Sequence, residues 1–189
     1  LAHPHAGDNM LVHSAAGGVG SVLVQLGKIA GCRVVGVVGA GHKVEAVRAL
    51  GADAVIDKSS QSLWREAERL SPQGYEIVLD ANGVSTLKQS YRHLAPVGKL
   101  VVYGFHSMLP RKGGRPNRLR LLWNYYRTPR FNPFSLTTRN RGVLGVVRDY
   151  CPGITQGPEV LRRIEAERGK IPQGAHRTSI PSGSDCLCR

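Results

Sequence analysis

The stretch that decides the fold is Met10-Leu11-Val12-His13-Ser14-Ala15-Ala16-Gly17-Gly18-Val19-Gly20, running on into Ser21 to Ala30. Met10 to His13 reads as a first strand. Val19 to Ala30 reads as a helix with Val19, Val22, Leu23, Leu26 and Ile29 on one side, the side expected to face a core. Between them, Ala15-x-Gly17-x-x-Gly20 matches the G-x-G-x-x-G fingerprint of dinucleotide sites, with Ala for the first glycine. Ala15 must be small for the tight turn. Gly17 must lack a Cβ so that backbone can approach a pyrophosphate, and Gly20 lets the helix sit close to the strand. Gly18 and Val19 open the helix, whose free N–H groups and positive dipole end suit phosphate oxygens.

Outward from this stretch, strand and helix patterns alternate. Arg33 to Val38 is a β-branched run of the kind a strand covered on both faces requires. Lys43 to Leu50 reads as a helix ended by Gly51, and Ala54-Val55-Ile56 as a third strand. Ser60 begins a helix carrying Leu63, Trp64, Ala67 and Leu70, stopped by Ser71-Pro72. Glu76 to Asp80 is a fourth strand, Ser85 to His93 a helix and Lys99 to Tyr103 a fifth strand. Five strands in βαβ order predict an α/β fold, a doubly wound parallel sheet of the Rossmann type. After Gly104 the rhythm breaks. Arg111 to Asn117 is loop-like, Leu119, Leu122, Trp123 and Tyr126 suggest a short helix interrupted at Pro129, Arg141 to Val147 a sixth strand, and Glu159 to Arg168 a last helix.

A site preferring NAD places Asp or Glu about 20 residues beyond the glycines, to bind the ribose 2′-hydroxyl. This chain has Gly39-Ala40-Gly41-His42-Lys43 there. With no carboxylate to repel a 2′-phosphate and a lysine to attract it, the expected cofactor is NADP(H). The other reading of Lys43 is an exposed first-turn lysine. Lys58, just past the third strand, can reach the same region, and His42 reads as a solvated loop residue. At the ends of the fourth and fifth strands, Asp80-Ala81-Asn82-Gly83 and Tyr103-Gly104-Phe105 lie at the rim where open α/β sheets bind ligands. Ala81, Tyr103 and Phe105 are candidate lining residues, with Tyr103-Gly104-Phe105 walling the nicotinamide side. Asp80 either contacts the cofactor or braces the turn. His3, His5 and His13 match no zinc spacing, and no Ser-His-Asp set or carboxylate pair emerges.

The chain has 189 residues, a net charge of +13 and four cysteines. Four scattered cysteines are too few for a disulfide scaffold in a chain this long, and no apolar run reaches the roughly 18 residues of a membrane span. A cytoplasmic protein is expected. The charge is uneven: residues 1–109 carry 10 basic and 8 acidic residues, and residues 110–189 carry 16 and 5. Between Pro110 and Arg148 ten basic residues stand among five aromatics with no acid. Such a segment suits an anionic membrane surface or nucleic acid, or is a solvated loop whose aromatics pack on another domain. No base-reading motif accompanies it, which argues against nucleic acid.

At these residues the sequence resembles the cofactor-binding domain of the medium-chain dehydrogenase/reductase superfamily, in its zinc-independent quinone oxidoreductase branch. The carrying stretches are Val12 to Gly20, Ala49 to Asp53 with Val55-Ile56-Asp57, Val78-Leu79-Asp80, and Pro96 to Lys99 with Tyr103-Gly104. The basic insertion and Arg141-Gly142-Val143-Leu144-Gly145 make it most similar to the vesicle amine transport protein homologues. The resemblance implies NADP(H)-dependent hydride transfer to quinones or enones without zinc, by a dimer joined at the sheet edge. It implies Gly17, Gly18, Val19 and Gly20 around the pyrophosphate and Lys43 at the 2′-phosphate, with Lys58 where the family often has tyrosine.

Members of that branch carry a GroES-like domain ahead of this point, which supplies much of the substrate pocket. Here the chain starts nine residues before the first strand. The expected organisation is therefore a junction remnant over 1–9, a cofactor domain over 10–150 with a basic insertion at 110–141, and a late helix and divergent, unstructured tail over 151–189. Cofactor binding with little turnover by the chain alone is the functional expectation, with a non-catalytic module using 111–148 as the alternative.

Overall fold

Every strand in the sheet is parallel. The computed structural model describes residues 2–105, 123 and 126–146. Its strands are β1 (Asn9–Val12), β2 (Arg33–Val38), β3 (Ala54–Asp57), β4 (Tyr75–Asp80), β5 (Leu94–Val102) and β6 (Gly142–Gly145), arranged β3-β2-β1-β4-β5-β6. The helices are α1 (Gly18–Ile29), a 3₁₀ turn Gly41–Lys43 leading into α2 (Val44–Ala49), α3 (Leu63–Leu70), α4 (Leu87–Arg92) and α5 (Pro133–Arg139). The expected doubly wound Rossmann topology is the observed one, with the order reversing between β1 and β4.

Parallel strands covered on both faces must be apolar on both. In β2 the side chains of Val34 and Val38 join Met10, Val12, Val24, Ile77 and Leu79 in one core layer, against α1 and α2. Val35 and Val37 join Leu11, Ala67, Val78, Leu87 and Leu100 in the other, against α3 and α4.

The face of α1 that meets the sheet differs from the expected one. Gly20, Val24 and Gly27 are buried, whereas Val22, Leu26 and Ile29 are half-buried and Val19 is 47% exposed. Small residues win because they let the helix approach. A Cβ on Gly27 would stand 2.8 Å from Met10 Sδ and 2.8 Å from Val34 Cγ2, and one on Gly36 2.7 Å from Val47 Cγ1.

Two further elements depart from the sequence reading. β5 begins at Leu94, which pairs with Tyr75, and the pairing resumes at Lys99 opposite Ile77 after an irregularity. Pro96-Val97-Gly98 makes that excursion, with Val97 at φ 64°. α5 was not expected. Asn132 caps it by accepting from the Phe134 amide at 3.0 Å, Pro133 occupies its first turn and Asn140 ends it in the left-handed region. Strand β6 lies within the expected Arg141 to Val147. The helix expected over Glu159 to Arg168, the tail and most of the basic insertion lie outside the described residues.

A buried polar network joins β1, β4 and α4. The fully buried Asp80 accepts from the Asn82 amide (2.8 Å), the Gly83 amide (3.2 Å) and Thr86 Oγ1 (2.9 Å) on one oxygen and from Ser90 Oγ (2.7 Å) on the other. Ser90 Oγ is also 3.2 Å from His13 Nε2, and His13 Nδ1 is 3.3 Å from Asn82 Nδ2. Four donors offset the cost of burying the carboxylate. Of the two roles open to Asp80, bracing the turn is the one its contacts serve. Burial holds the His13 imidazole below its ordinary pKa, against the opposing pull of Asp80 and with a small contribution from Lys58.

Two outcomes follow. Gly27→Val should lower stability by about 2 kcal/mol, read as a reduced urea midpoint at unchanged slope, because neither Met10 nor Val34 has room for the added carbons. Because the folded His13 binds a proton less readily than the unfolded one, its contribution to stability is complete above pH 6.5 and is lost as pH falls from 6.5 towards its folded value. Urea midpoints between pH 8 and pH 5 should fall on the acid side, and His13→Gln should flatten that slope.

Candidate functional site

The turn after β1 is held by its own backbone. Ser14 adopts φ 53°, its carbonyl accepts from the Gly17 amide at 2.8 Å, and the Ala15 amide donates to Val37 O at 3.0 Å, tying the turn to β2. Ala15 is fully buried, which is why the first fingerprint position must be small. A Cβ on Gly20 would lie 2.2 Å from Ser14 O, inside any possible contact. At Gly17 the distance to Ser14 O is 3.2 Å, and at Gly18 nothing lies within 4 Å. Gly17, Gly18 and Val19 are all exposed. Gly20 is thus required by the fold, whereas Gly18 leaves a bare stretch of backbone facing open space.

That bare stretch is also the start of α1. The first N–H groups of a helix have no helical acceptor. Here Gly17 provides no side-chain cap and the first turn holds no acid. A group that brings oxygen acceptors and negative charge fits this cradle. The residues present therefore suit a pyrophosphate.

Along the rim at the ends of β2 and β3, Lys43 and Lys58 are both exposed. The Lys58 amide donates to Val38 O at 3.1 Å, and its side chain passes 3.5 Å from the place of a Gly39 Cβ. Lys43 ends the 3₁₀ turn Gly41–Lys43, with His42 exposed beside it. The carboxylate at this corner is Asp57, at the end of β3. It accepts from the Ser59 amide (2.9 Å), Ser59 Oγ (2.6 Å) and Ser60 Oγ (3.2 Å), and those bonds hold its pKa below the usual carboxylate value. Its Oδ2 lies 3.3 Å from the place of a Gly41 Cβ. The sequence reading passed over Asp57 because it comes from the neighbouring strand; the signal was Asp57-x-Ser59-Ser60, a carboxylate followed by two hydroxyls.

The opposite wall is built by the ends of β4 and β5. Ala81 is buried at this end of β4, and its carbonyl lies 3.1 Å from the place of a Gly104 Cβ. Tyr103 turns inward: its hydroxyl donates to His13 O at 2.7 Å, and burial pushes its pKa up. Phe105 is part-exposed and covers Gly83, where a Cβ would meet the ring at 2.6 Å. The turn is braced from below by Asn82, whose Oδ1 accepts from Ser14 Oγ at 3.2 Å. The structure thus brings Ala15, Gly17, Gly18, Val19 and Gly20 into one turn, Lys43 and Lys58 onto one rim, and Ala81 and Phe105 onto the facing wall. The contacts joining His13, Ser14, Asn82 and Ser90 escaped the sequence reading because only the pairing of β1 with β4 brings them together. Among the described residues no three His, Cys, Asp or Glu are grouped to hold a metal, and no helix is long and apolar enough to cross a membrane.

Comparison with known proteins agrees with this geometry. Residues 18–166 match the zinc-binding dehydrogenase family. The chain is 34% identical to the human synaptic vesicle membrane protein VAT-1 homolog over 148 residues, 78% of this chain and 37% of that protein. It is 35% identical to rabbit (Oryctolagus cuniculus) prostaglandin reductase 1 over 112 residues, 59% of this chain and 32% of that one. Among solved structures, a mycobacterial protein complexed with NADPH superposes with a TM-score of 0.59 at 25% identity, covering 93% of this chain and 48% of that one. The chain spans about a third of the length of the curated relatives it matches. It belongs to the zinc-binding dehydrogenase family, as a cofactor-binding domain of the quinone oxidoreductase-like branch of the medium-chain dehydrogenases/reductases.

Proposed function

We propose that this domain binds NADP(H) and, in its parent reaction, presents the cofactor for zinc-independent hydride transfer to a small quinone or enone. The observation that carries the reading is the open cradle at Gly18, at an uncapped helix start beside the Lys43 and Lys58 rim. Gly17, Gly18, Val19 and Gly20 would hold the pyrophosphate with backbone N–H groups. Lys43 would meet the 2′-phosphate, with Lys58 as the second cation. The Ala81 backbone and Phe105 would border the nicotinamide, with Tyr103 supporting that wall from behind. The nicotinamide, when bound, supplies or takes the hydride. This domain's part is to orient the ring and leave one face of it for a substrate. The NADPH of the mycobacterial relative and the reductase and quinone oxidoreductase names of other relatives support this reading. The outer edge of β6 is the place for an edge-to-edge dimer, and the cytoplasm is the proposed compartment.

A second reading rests on the basic segment. Trp123 and Phe134 are 63% and 76% exposed, in a stretch that also carries the exposed Arg127, Arg130 and Arg139. Exposed rings among arginines suit an anionic membrane surface.

Titrations with NADPH and NADH, followed by nicotinamide fluorescence, test the first reading. NADPH should bind more tightly, and Lys43→Ala should weaken NADPH about tenfold while leaving NADH little changed, the worth of one charge-assisted phosphate contact. Gly18→Val should abolish binding at a little-changed melting temperature, because a Cβ at Gly18 points into open space. Binding that survives Gly18→Val would sink the pyrophosphate assignment. For the second reading, sedimentation with phosphatidylserine vesicles should show binding that weakens steeply with salt and falls in Phe134→Ala; no binding at low salt removes it.

A further inference from the structure

Ser14 lies half-buried at the base of the glycine-rich turn, and its hydroxyl hydrogen is spent on Asn82 Oδ1 at 3.2 Å. The other end of the same amide, Nδ2, stands 3.3 Å from His13 Nδ1. With Nδ2 donating, His13 Nδ1 must accept, and the ring hydrogen sits on Nε2, directed to Ser90 Oγ at 3.2 Å. Ser90 in turn donates to Asp80 Oδ2 at 2.7 Å. The Ser14 hydroxyl hydrogen is thus committed inward.

A half-turn of the Asn82 amide reverses the arrangement without breaking it. The Asn82 backbone is held independently through its N–H bond to Asp80. If His13 takes a proton from solvent at Nδ1, Asn82 Oδ1 accepts that N–H, and Asn82 Nδ2 donates to Ser14 Oγ. Both contacts persist with their directions exchanged, and the Ser14 hydroxyl hydrogen is set free. We infer that Ser14 is a switchable hydrogen-bond donor to the cofactor pyrophosphate, turned outward by an amide flip of Asn82 that is coupled to protonation of His13. The inference rests on the cofactor reading above and adds to it a residue outside the fingerprint.

The surroundings of His13 support both states. Asp80 Oδ2, from β4, lies 4.0 Å from Nε2 and favours the imidazolium. Burial and Lys58, beyond β3, favour the neutral ring. Trp64 of α3 tilts over the imidazole at 5.7 Å and is itself stacked on His93, which meets Glu68 at 3.2 Å. Tyr103 of β5 presents its hydroxyl to the His13 carbonyl rather than to the ring. With opposed influences of this kind, an anion that accepts the Ser14 hydrogen tips the balance. By linkage, an anion that favours protonated His13 must bind more tightly when His13 is protonated.

Nitrogen NMR of the ¹⁵N-histidine-labelled chain at pH 6 tests this directly, since it distinguishes a protonated from an unprotonated Nδ1. Without ligand, His13 should show hydrogen on Nε2 only; saturated with NADPH, it should gain a hydrogen on Nδ1. Ser14→Ala should abolish that change and weaken NADPH about tenfold at pH 6 but less than threefold at pH 8. Comparing variant with wild type cancels the titration of the cofactor's own 2′-phosphate. A His13 that keeps an unprotonated Nδ1 in the saturated complex, or a Ser14→Ala loss equal at both pH values, overturns the inference while leaving the cofactor reading intact. Unmoved Gly17 to Gly20 amide signals in the uniformly ¹⁵N-labelled chain at millimolar NADPH overturn both.

Discussion

The structure turns on the approach of the first helix to the end of the first strand, where the Ser14 carbonyl comes within 2.2 Å of the place a Gly20 Cβ would occupy. No residue other than glycine permits that approach. From it follow the tight turn over Ser14 to Gly17, the aim of the α1 start along the crevice, and the exposure of Gly17 and Gly18 as bare backbone. The same economy recurs further along the interface, where Gly27 lets α1 lie against Met10 and Val34, and Gly36 lets Val47 of α2 lie against β2. Helix and sheet are brought together by absent side chains, and the apolar strip of α1 is left half-uncovered as a consequence.

Charge is sorted by burial. Asp80 and His13 are fully enclosed, and each survives there only because its hydrogen-bonding capacity is met: Asp80 by two amides and two hydroxyls, His13 by Ser90 and Asn82. Removing one member of such a set leaves the others unpaired in a low dielectric, so the network specifies one arrangement of β1, β4 and α4. At the rim the opposite holds. Lys43 and Lys58 are exposed, contribute little to stability and remain available to a ligand. Asp57, the carboxylate at that corner, is held by Ser59 and Ser60.

Elements with a strong period were legible in the sequence. β2 has the bounds Arg33 to Val38 expected of its β-branched run, and α1 begins one residue from its expected start. Elements shaped by partners were not. Leu94 falls between the helix expected to end at His93 and the strand expected from Lys99, and it becomes strand because Tyr75 offers it a pairing. The contact face of α1 was misjudged because hydrophobicity marks what gains from burial, whereas closeness is governed by size, which favoured Gly20 and Gly27. α5 carried a legible signal in Asn132-Pro133, a cap followed by a residue fitted to the first turn.

The sequence by itself determined the class of fold, the strand-turn-helix of the fingerprint and the basic character of the rim, because each is a local pattern a few residues long. Only the tertiary structure decided which polar groups meet. His13 and Ser90 lie 77 residues apart, and Ser14 and Asn82 lie 68 apart. The pairing of β1 with β4 and the packing of α4 set those distances, and no spacing along the chain records them.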